Sequence, residues 1–338
     1  MKQVFISDKK KVSLKEVPTP TAKKDWVLVK ILTSPMCTEY KQYSSGVVNH
    51  PLGHEAAGEV VEVDQPGKLS VRDRVVVMPQ YPCGKCALCI SGEYIHCEHL
   101  HNFKGYTGFE YGDSTYAQYI LKPSWLLPKI PDEITTDHAS MLCCGLGPTF
   151  GAMDRMKADS SDTILISGLG PVGLGGVINA VYRNSKVIGV TKNEYRANLA
   201  LELGADKIIN PDDPDAVKQI KGLTSGKGID ASIDCAGDDS SQLLCVNSTK
   251  RKGHVAFVGE SGRINLEVSD HLIRNGLTLH GVWHYNLNDI PKLFEVVNKS
   301  KDLIKNMITH TFSMEKVREA FELQITRKCG KVILKPFQ

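Results

Sequence analysis

The first third of the chain carries short runs of β-branched and aromatic residues, separated by proline, glycine and polar pairs. Runs of this length and composition are typical of strands that are joined by turns. The runs are VFIS, VSLKEV, WVLVKIL, AAGEVVEV, RVVVMP and YAQYIL. The pattern therefore predicts a mostly β region from Val4 to about Tyr119.

The pattern changes near Thr136, where a predicted helix, TTDHASMLCCGLGPTFGAMDRM, leads into six apolar runs of strand length. Helix-like segments such as EYRANLALELGA separate these runs, which are TILIS, KVIGV, DKIIN, IDASID, HVAFVG and LTLHGV. Apolar strands that alternate with helices indicate a parallel sheet covered on both faces. After about Trp283 the pattern predicts two further helices and a final strand, KVILKP. We therefore expect an α/β fold with a doubly wound parallel sheet.

Length, composition and charge narrow the class of protein. The 338 residues suffice for about two ordinary domains. No stretch approaches the roughly 20 apolar residues of a membrane helix, and the amino terminus lacks a signal-peptide core, so we expect a cytoplasmic protein that does not bind membranes. The 41 basic and 38 acidic residues form no long block of one sign, which argues against nucleic acid as a partner.

Four of the 10 cysteines follow the spacing C-x2-C-x2-C-x7-C, and these are Cys83, Cys86, Cys89 and Cys97. Four thiolates from one short loop suit a closed tetrahedral zinc site. An iron–sulfur cluster is the alternative, but in its usual run only three residues separate the third and fourth cysteines, and the fourth precedes proline. The acidic residues around this loop outnumber the lysines, which is the wrong charge for a nucleic-acid-binding zinc module.

A glycine-rich turn follows the run TILIS, with Gly168, Gly170 and Gly173 in G-x-G-x-x-G register around Pro171 and Val172. After a strand and before a helix, these glycines permit a tight turn, a close approach of backbone to pyrophosphate and close packing of helix on strand. The turn therefore predicts a dinucleotide site. A glycine-rich turn without a ligand is the alternative.

The next strand of the series, KVIGV, ends at Thr191, where NAD-specific sites carry an acidic residue. Lys192 and Arg196 follow, so there is no carboxylate to repel a 2′-phosphate and two cations lie nearby. This predicts a preference for NADP. If both cations are only solvated surface charges, NAD is the alternative.

Three further sequence features complete a pattern: Cys37, the pair His54-Glu55 in PLGHEAAGEVVEV, and Cys144 in MLCCGLGPTFGA. Their order around the four-cysteine loop and before the glycine turn resembles the zinc-containing medium-chain alcohol and polyol dehydrogenases. The resemblance covers the chain to its closing ITHTF and GKVILKP. It implies a GroES-like catalytic domain, 1–145 and 284–338, with an inserted Rossmann domain, 146–283, and the active-site zinc in the cleft between them.

The resemblance also assigns roles to these residues. Cys37, His54 and Cys144 match the ligands of the catalytic zinc, Glu55 matches a nearby carboxylate, and the four loop cysteines match a structural zinc, so two zinc ions per chain are expected. Cys143 is an alternative third ligand, although the register of the following residues favours Cys144. A dimer or a tetramer is expected from the family.

In such a site, zinc with an open fourth position activates an alcohol for hydride transfer to a nicotinamide, or polarises a carbonyl in reverse. The resemblance is greatest to polyol-oxidising members, so the expected substrate is a secondary alcohol of a polyol, cyclitol or sugar-like compound. Two other functions stay open: an NADPH-dependent reductase of an activated double bond or simple carbonyl, and a zinc-stabilised binding protein without catalysis.

Two positions depart from the family pattern or extend it. Family members carry Ser or Thr two residues after the first ligand, as the start of a proton relay, whereas this chain has Glu39. We expect Glu39 to receive the alcohol proton or to bind a second polar group of the substrate, with Thr38 as the alternative hydroxyl. Trp283, His284 and Tyr285 follow the last predicted Rossmann strand and are predicted to contact the substrate, with structural packing as the alternative.

Overall fold

The computed structural model describes residues 1–47, 51–260 and 262–338, which form two compact units. Unit 1 contains 1–143, 286–301 and 308–338, and unit 2 contains 144–285 and 302–307. The predicted catalytic and Rossmann domains, with limits at 145/146 and 283/284, stay a prediction. No helix among the described residues has the length and apolar character needed to cross a membrane.

Unit 1 is built mainly from strands that pair in an antiparallel manner. Its strands are β1 (Lys2–Asp8), β2 (Lys11–Glu16), β3 (Trp26–Pro35), β4 (Ala56–Glu62), β5 (Arg74–Val77), β6 (Tyr119–Pro123), β13 (Ile308–Ser313) and β14 (Lys331–Lys335). Its helices are α1 (Glu39–Ser45), α2 (Ala87–Ile90), α3 (Phe103–Thr107), α4 (Thr136–Ser140), α10 (Ile290–Lys299) and α12 (Val317–Thr326).

The main sheet of unit 1 has the order β13-β14-β3-β4-β5, and β6 also pairs with β3. Val29 and Ile31 of β3 pack with Val60 and Val75 in a fully buried apolar cluster. Thr33 lies opposite Ala57, so the end of β3 runs beside the beginning of β4. This pairing brings the segment that follows β3 next to the segment that precedes β4, which is where two predicted zinc ligands lie.

Unit 2 contains a parallel sheet of the order β12-β11-β10-β7-β8-β9, as the strand and helix alternation predicts. Its strands are β7 (Thr163–Ser167), β8 (Lys186–Val190), β9 (Lys207–Ile209), β10 (Ile229–Asp234), β11 (Thr249–Phe257) and β12 (Thr278–Gly281). Its helices are α5 (Gly147–Met156), α6 (Pro171–Tyr182), α7 (Glu194–Glu202), α8 (Ala216–Gly222) and α9 (Asp239–Ser248), and α11 (Lys301–Met307) crosses the limit between the units at 301/302.

The predicted doubly wound fold is confirmed. The chain proceeds outward from β7 through β8 to β9 and then returns to the other side of β7 with β10. Such a reversal creates a crevice at the carboxyl ends of the strands, where ligands bind in open α/β sheets. The glycine-rich turn follows β7 directly and therefore lies at this point.

The continuous helix predicted over 135–156 is wrong in its middle. Helices α4 and α5 flank an irregular segment, and Cys143 has a non-helical ψ of −140°. Gly145 and Gly147 lower the helical preference of this segment, and Pro148 suits the start of a new helix rather than the interior of an old one. The break gives the two adjacent cysteines different environments.

Candidate metal centres and dinucleotide site

Two of the three predicted catalytic ligands come together within unit 1, beside the predicted carboxylate. One donor atom each of Cys37, His54 and Glu55 lies within 4.8 Å of the others. Cys37 lies two residues beyond the end of β3, and His54 and Glu55 immediately precede β4. Cys144 lies in the irregular segment between α4 and α5. Their roles as zinc ligands stay a prediction, to which the geometry adds the proximity of Cys37 to His54.

Glu39 orients the imidazole of His54. Its Oε1 lies 2.8 Å from Nδ1 of His54, while the other ring nitrogen, Nε2, lies 4.0 Å from Oε1 of Glu55. Oε2 of Glu39 accepts hydrogen bonds from the Tyr116 hydroxyl at 2.9 Å and from the Cys37 backbone N–H at 3.1 Å. A carboxylate that holds one ring nitrogen and leaves the other toward the ligand group is typical of metal-binding histidines.

The contacts of Glu39 favour a positioning role over the predicted proton transfer. Both oxygens are engaged by the chain itself, and the side chain is buried. Although burial opposes its ionisation, the charge and hydrogen bond of His54 lower the pKa of Glu39 to about 2. This lowering needs a protonated His54, whereas a metal-binding histidine is neutral, so the contacts of Glu39 carry the positioning role. Direct proton transfer to Glu39 stays a prediction, with Thr38, which lines the same cavity, as the alternative.

Glu55 forms a buried ion pair that the sequence did not indicate. Lys331 Nζ lies 2.7 Å from Glu55 Oε1, and both side chains have at most 1% exposure. Among the described residues, the other oxygen, Oε2, is buried without a hydrogen-bond partner. Burial raises the pKa of Glu55 to about 7, although Lys331 opposes this.

The four residues suit a zinc ion. Two sulfur atoms and an imidazole nitrogen are the donor set of many catalytic zinc sites, and softer ligands of this kind disfavour calcium or magnesium. The second oxygen of Glu55 is buried without a hydrogen-bond partner among the described residues, and a nearby cation would satisfy it. The group therefore fits the metal that the sequence predicts.

The four loop cysteines form a second group of sulfur atoms within 4.8 Å of one another. Backbone N–H groups point at these sulfurs: that of Cys86 lies 3.4 Å from Cys83 Sγ, and that of Cys83 lies 3.3 Å from Cys97 Sγ. The pKa of Cys86 is lowered to about 6, because the Cys89 backbone N–H donates to its sulfur. Thiolates are the zinc-binding form of cysteine, so this loop also fits zinc.

A polar cavity of about 250 Å³ lies in unit 1 beside the first ligand group. Its polar lining includes Thr38, Glu39, Gln42, His54, Asp113 and Lys122. Within the part of the chain that the structure describes, the buried Oε1 of Gln42 has no hydrogen-bond partner. Lys122 is buried, donates to the Gln80 carbonyl at 2.6 Å and lies 3.7 Å above the Tyr81 ring.

The glycine turn in unit 2 has the geometry that pyrophosphate binding needs. Gly168 has φ +89°, and a Cβ there would lie 2.6 Å from the Ala236 backbone nitrogen. A Cβ on Gly173 would lie 2.0 Å from the Gly168 oxygen, so α6 packs closely on the turn. Helix α6 begins at Pro171, with Gly170 as its N-cap, and Val172 lies in its first turn. A helix N-terminus behind a glycine turn attracts phosphate.

The guanidinium group of Arg196 lies beside this turn. A Cβ on Gly170 would be 3.8 Å from Nη1 of Arg196. Lys192 Nζ instead lies 3.4 Å from Asp212, and both side chains are more than half exposed. Thr191, at the end of β8, accepts a hydrogen bond from the Asn193 backbone through its hydroxyl. Their cofactor contacts stay predictions, with Arg196 the better placed cation.

The segment after β12 is more structural than the sequence indicates. Tyr285 is 2% exposed, and a Cβ on Gly147 would lie 2.3 Å from its ring. Trp283 is 38% exposed, and His284 Nδ1 lies 3.5 Å from Cys144 Sγ. Contacts of Trp283, His284 and Tyr285 with substrate stay a prediction.

Asn286 follows this segment in unit 1 and holds the four-cysteine loop in place. Its Oδ1 accepts from the Ile95 backbone at 3.2 Å, and its Nδ2 donates to Glu93 at 2.8 Å. Sequence reasoning assigned no role to Lys331 or Tyr116. For Lys331 the local signal was a charged residue within an apolar run, KVILKP.

Comparisons with known proteins agree with this arrangement. Residues 171–299 match the family "Zinc-binding dehydrogenase", and residues 23–132 match "Alcohol dehydrogenase GroES-like domain". The chain is 30% identical to sorbitol dehydrogenase of Bacillus subtilis, over 99% of this chain and 97% of that protein. It is 31% identical to L-threonine 3-dehydrogenase of Pyrococcus furiosus, over 95% of this chain and 94% of that protein.

Solved structures show the same fold. The alcohol dehydrogenase TADH from Thermus sp. ATN1 superposes with a TM-score of 0.89, at 22% identity and over 99% of both chains. The family implies zinc and NAD(P) as cofactors and a small alcohol as substrate. The chain thus belongs to the zinc-containing medium-chain alcohol dehydrogenases and is a zinc-dependent alcohol dehydrogenase.

Proposed function

We propose that this dehydrogenase interconverts a secondary alcohol that carries several hydrogen-bonding groups, of the polyol, cyclitol or sugar-like class, and its ketone, with NADP as the hydride carrier. The observation that carries the substrate class is the polar cavity beside the ligand group in unit 1. Sorbitol and threonine, named for two relatives, likewise carry further polar groups beside the alcohol.

Each cofactor has residues to hold it. We assign the catalytic zinc to Cys37, His54 and Cys144, and a structural zinc to the four loop cysteines. When bound, the catalytic zinc would withdraw charge from the substrate oxygen, and the nicotinamide would exchange hydride with the substrate carbon. The chain's own part is to orient these groups: Glu39 holds the His54 ring, and Lys331 holds Glu55.

Thr38 is the group of the chain that we assign to proton transfer. Its hydroxyl belongs to a residue that lines the cavity, next to the first ligand in sequence. A hydroxyl both accepts and donates a proton, so it can pass one onward, whereas Glu39 is occupied by Tyr116, Cys37 and His54.

The polar lining of the cavity penalises an apolar substrate. The Gln42 oxygen is buried and has no partner within the described chain, and Asp113 and Lys122 add charges. A ligand that displaces water from such groups without bonding to them weakens its own binding by about 1–3 kcal/mol for each group, the cost of leaving a buried polar group unpaired. A substrate hydroxyl that pairs with a lining group such as Asp113 avoids this cost, which favours substrates with more than one hydroxyl.

A substrate screen tests this proposal. We expect the zinc-loaded enzyme to reduce NADP with polyols, cyclitols or sugar-like alcohols at a kcat/KM at least tenfold higher than with ethanol or 2-propanol of equal concentration. A tenfold difference in kcat/KM corresponds to about 1.4 kcal/mol, which lies within the expected contribution of one buried hydrogen bond. The Gln42→Leu variant should narrow the difference, because it replaces a polar side chain of the cavity lining with an apolar one. Higher kcat/KM for the simple alcohols would contradict the polar-substrate proposal.

The NADP preference is tested by the same kinetics with two nucleotides. We expect kcat/KM for NADPH to exceed that for NADH, and Arg196→Ala to reduce the ratio about tenfold or more, since a hydrogen bond to a charged group contributes about 1.5–3 kcal/mol. Lys192→Ala is the matched control and should change the ratio less, because Asp212 already faces Lys192. A tenfold preference of the wild-type enzyme for NADH would contradict the proposal.

The rival activity is a reductase of activated double bonds or simple carbonyls. It is disfavoured because the chain has a zinc-binding residue at each of the three positions for catalytic zinc ligands. Assembly as a dimer or tetramer and a cytoplasmic location stay predictions.

A further inference from the structure

We propose that His284 is a positioning residue for the catalytic metal: it donates a hydrogen bond from ring Nδ1 to the sulfur of Cys144. The two atoms lie 3.5 Å apart, within the range of hydrogen bonds to sulfur, and both residues belong to unit 2. The inference rests on the proposed function, because it takes Cys144 as a zinc ligand. It gives His284 a role other than the predicted contact with substrate.

The backbone of His284 is constrained in a way that directs its ring. His284 has φ +52°, in the left-handed region that non-glycine residues adopt uncommonly, histidine more often than most. Such a conformation persists where the surrounding structure holds it, and it is frequent at functional sites.

The residues on either side hold His284 in this conformation. Val282 is bound through its backbone N–H to the Phe257 carbonyl at 3.0 Å, which extends the register of β12. Tyr285 is 2% exposed and fills the space beside Gly147, where a Cβ would lie 2.3 Å from its ring. Gly147 lies three residues after Cys144, so the packing of Tyr285 ties His284 to the chain segment that contains the ligand.

The hydrogen bond affects the sulfur in two ways. A donor at Cys144 Sγ stabilises its thiolate form and reduces the electron density that the sulfur gives to a metal, and it also limits rotation of the cysteine side chain. Because a thiolate is an acceptor, the Nδ1 atom of His284 carries the proton in this arrangement. His54 has an analogous supporting partner in Glu39, so each of these ligands is oriented by a neighbour.

Two amide substitutions separate the hydrogen bond from the size of the side chain. Asparagine places its amide nitrogen where the Nδ1 atom of histidine lies, and it tolerates positive φ. Glutamine reaches one bond further, toward the position of Nε2. The His284→Asn variant should therefore retain the donor, and His284→Gln should lose it.

The variants are compared by zinc competition with a chelator and by the absorption of the protein with Co²⁺ in the catalytic site. In H284Q we expect the catalytic zinc to bind about 10–100-fold more weakly, the usual effect of removing a supporting contact of a metal ligand. We also expect the thiolate-to-cobalt charge-transfer band to move to longer wavelength, since an unsupported sulfur gives up charge more easily. H284N should match the wild type in both measurements.

Three outcomes would overturn the inference. H284Q could match the wild type in affinity and spectrum, H284N could change as much as H284Q, or H284Q could lose the catalytic metal entirely, which would make His284 a ligand. Failure of the proposed function looks different, because Cys144→Ser would then retain two zinc ions. The structural zinc and the thermal midpoint of each variant control for folding.

Discussion

Replacement of Cys144 by serine is expected to remove one of the two zinc ions of the protein and to lower kcat/KM at least about a thousandfold. The metal contributes several kcal/mol of transition-state stabilisation, and each 1.4 kcal/mol is a factor of ten in rate. The family pattern assigns Cys144 to this metal together with Cys37 and His54. Zinc content by elemental analysis and steady-state kinetics measure the two effects.

Cys143→Ser is the matched control, since it makes the same chemical change one residue earlier. Cys143 is fully buried, and its sulfur lies 4.0 Å from the Val77 carbonyl, outside the ligand group. This variant should retain two zinc ions and most of the activity. Loss of zinc in Cys143→Ser, together with retention in Cys144→Ser, would mean that the neighbouring cysteine is the ligand after all.

The second large effect concerns stability. Replacement of Lys331 by methionine is expected to lower the free energy of unfolding of the zinc-loaded enzyme by about 3–5 kcal/mol, the cost of leaving one charge of a buried pair without its partner. Both side chains of the Lys331–Glu55 pair have at most 1% exposure, so solvent does not screen the loss. Urea unfolding of wild type and variant measures the difference.

The pH dependence of this variant has a definite sign. Lys331 lowers the pKa of Glu55 in the folded protein. Its removal therefore raises the pKa of folded-state Glu55 further above the pKa that Glu55 has in the unfolded chain. A raised carboxyl pKa in the folded state destabilises the protein more as pH rises, because the unfolded chain then ionises Glu55 freely. We therefore expect a larger loss of stability at pH 8 than at pH 6.

The double variant Glu55→Gln/Lys331→Met supplies the control. It removes both charges at once, so it should recover much of the stability that Lys331→Met loses. The free energy of unfolding of Lys331→Met could instead lie within about 1 kcal/mol of the wild-type value, or the double variant could be no more stable than Lys331→Met. Either result would mean that the buried pair does not contribute the stability that we assign to it.

Sequence reasoning succeeded where neighbouring residues decide the structure. The strand runs, the six-strand alternation and the glycine turn at Gly168 appear in the fold as predicted. The helix predicted through Cys143 failed, because periodicity alone gave too little weight to two glycines and a proline. The four-cysteine group needed only spacing, since a short loop brings its own sulfurs together.

Side-chain partners were harder to predict. Glu39 occupies a position where relatives carry a hydroxyl, so a role in proton transfer was the natural hypothesis. Its contacts with His54 and Tyr116 indicate instead that it holds a ligand. Likewise, His284 was expected to contact substrate, and it lies against Cys144.

The sequence by itself determined the class of fold, the position of the glycine turn and the loop of four cysteines, because these depend on residues within a few positions of one another. Only the tertiary structure decided that Lys331 pairs with Glu55 across 276 residues, that Glu39 orients His54, and that His284 faces Cys144. Such contacts depend on the register of paired strands and on where the chain reverses. The local alternation of apolar and polar residues specifies which face of a strand is buried, but it does not specify which distant side chain lies opposite.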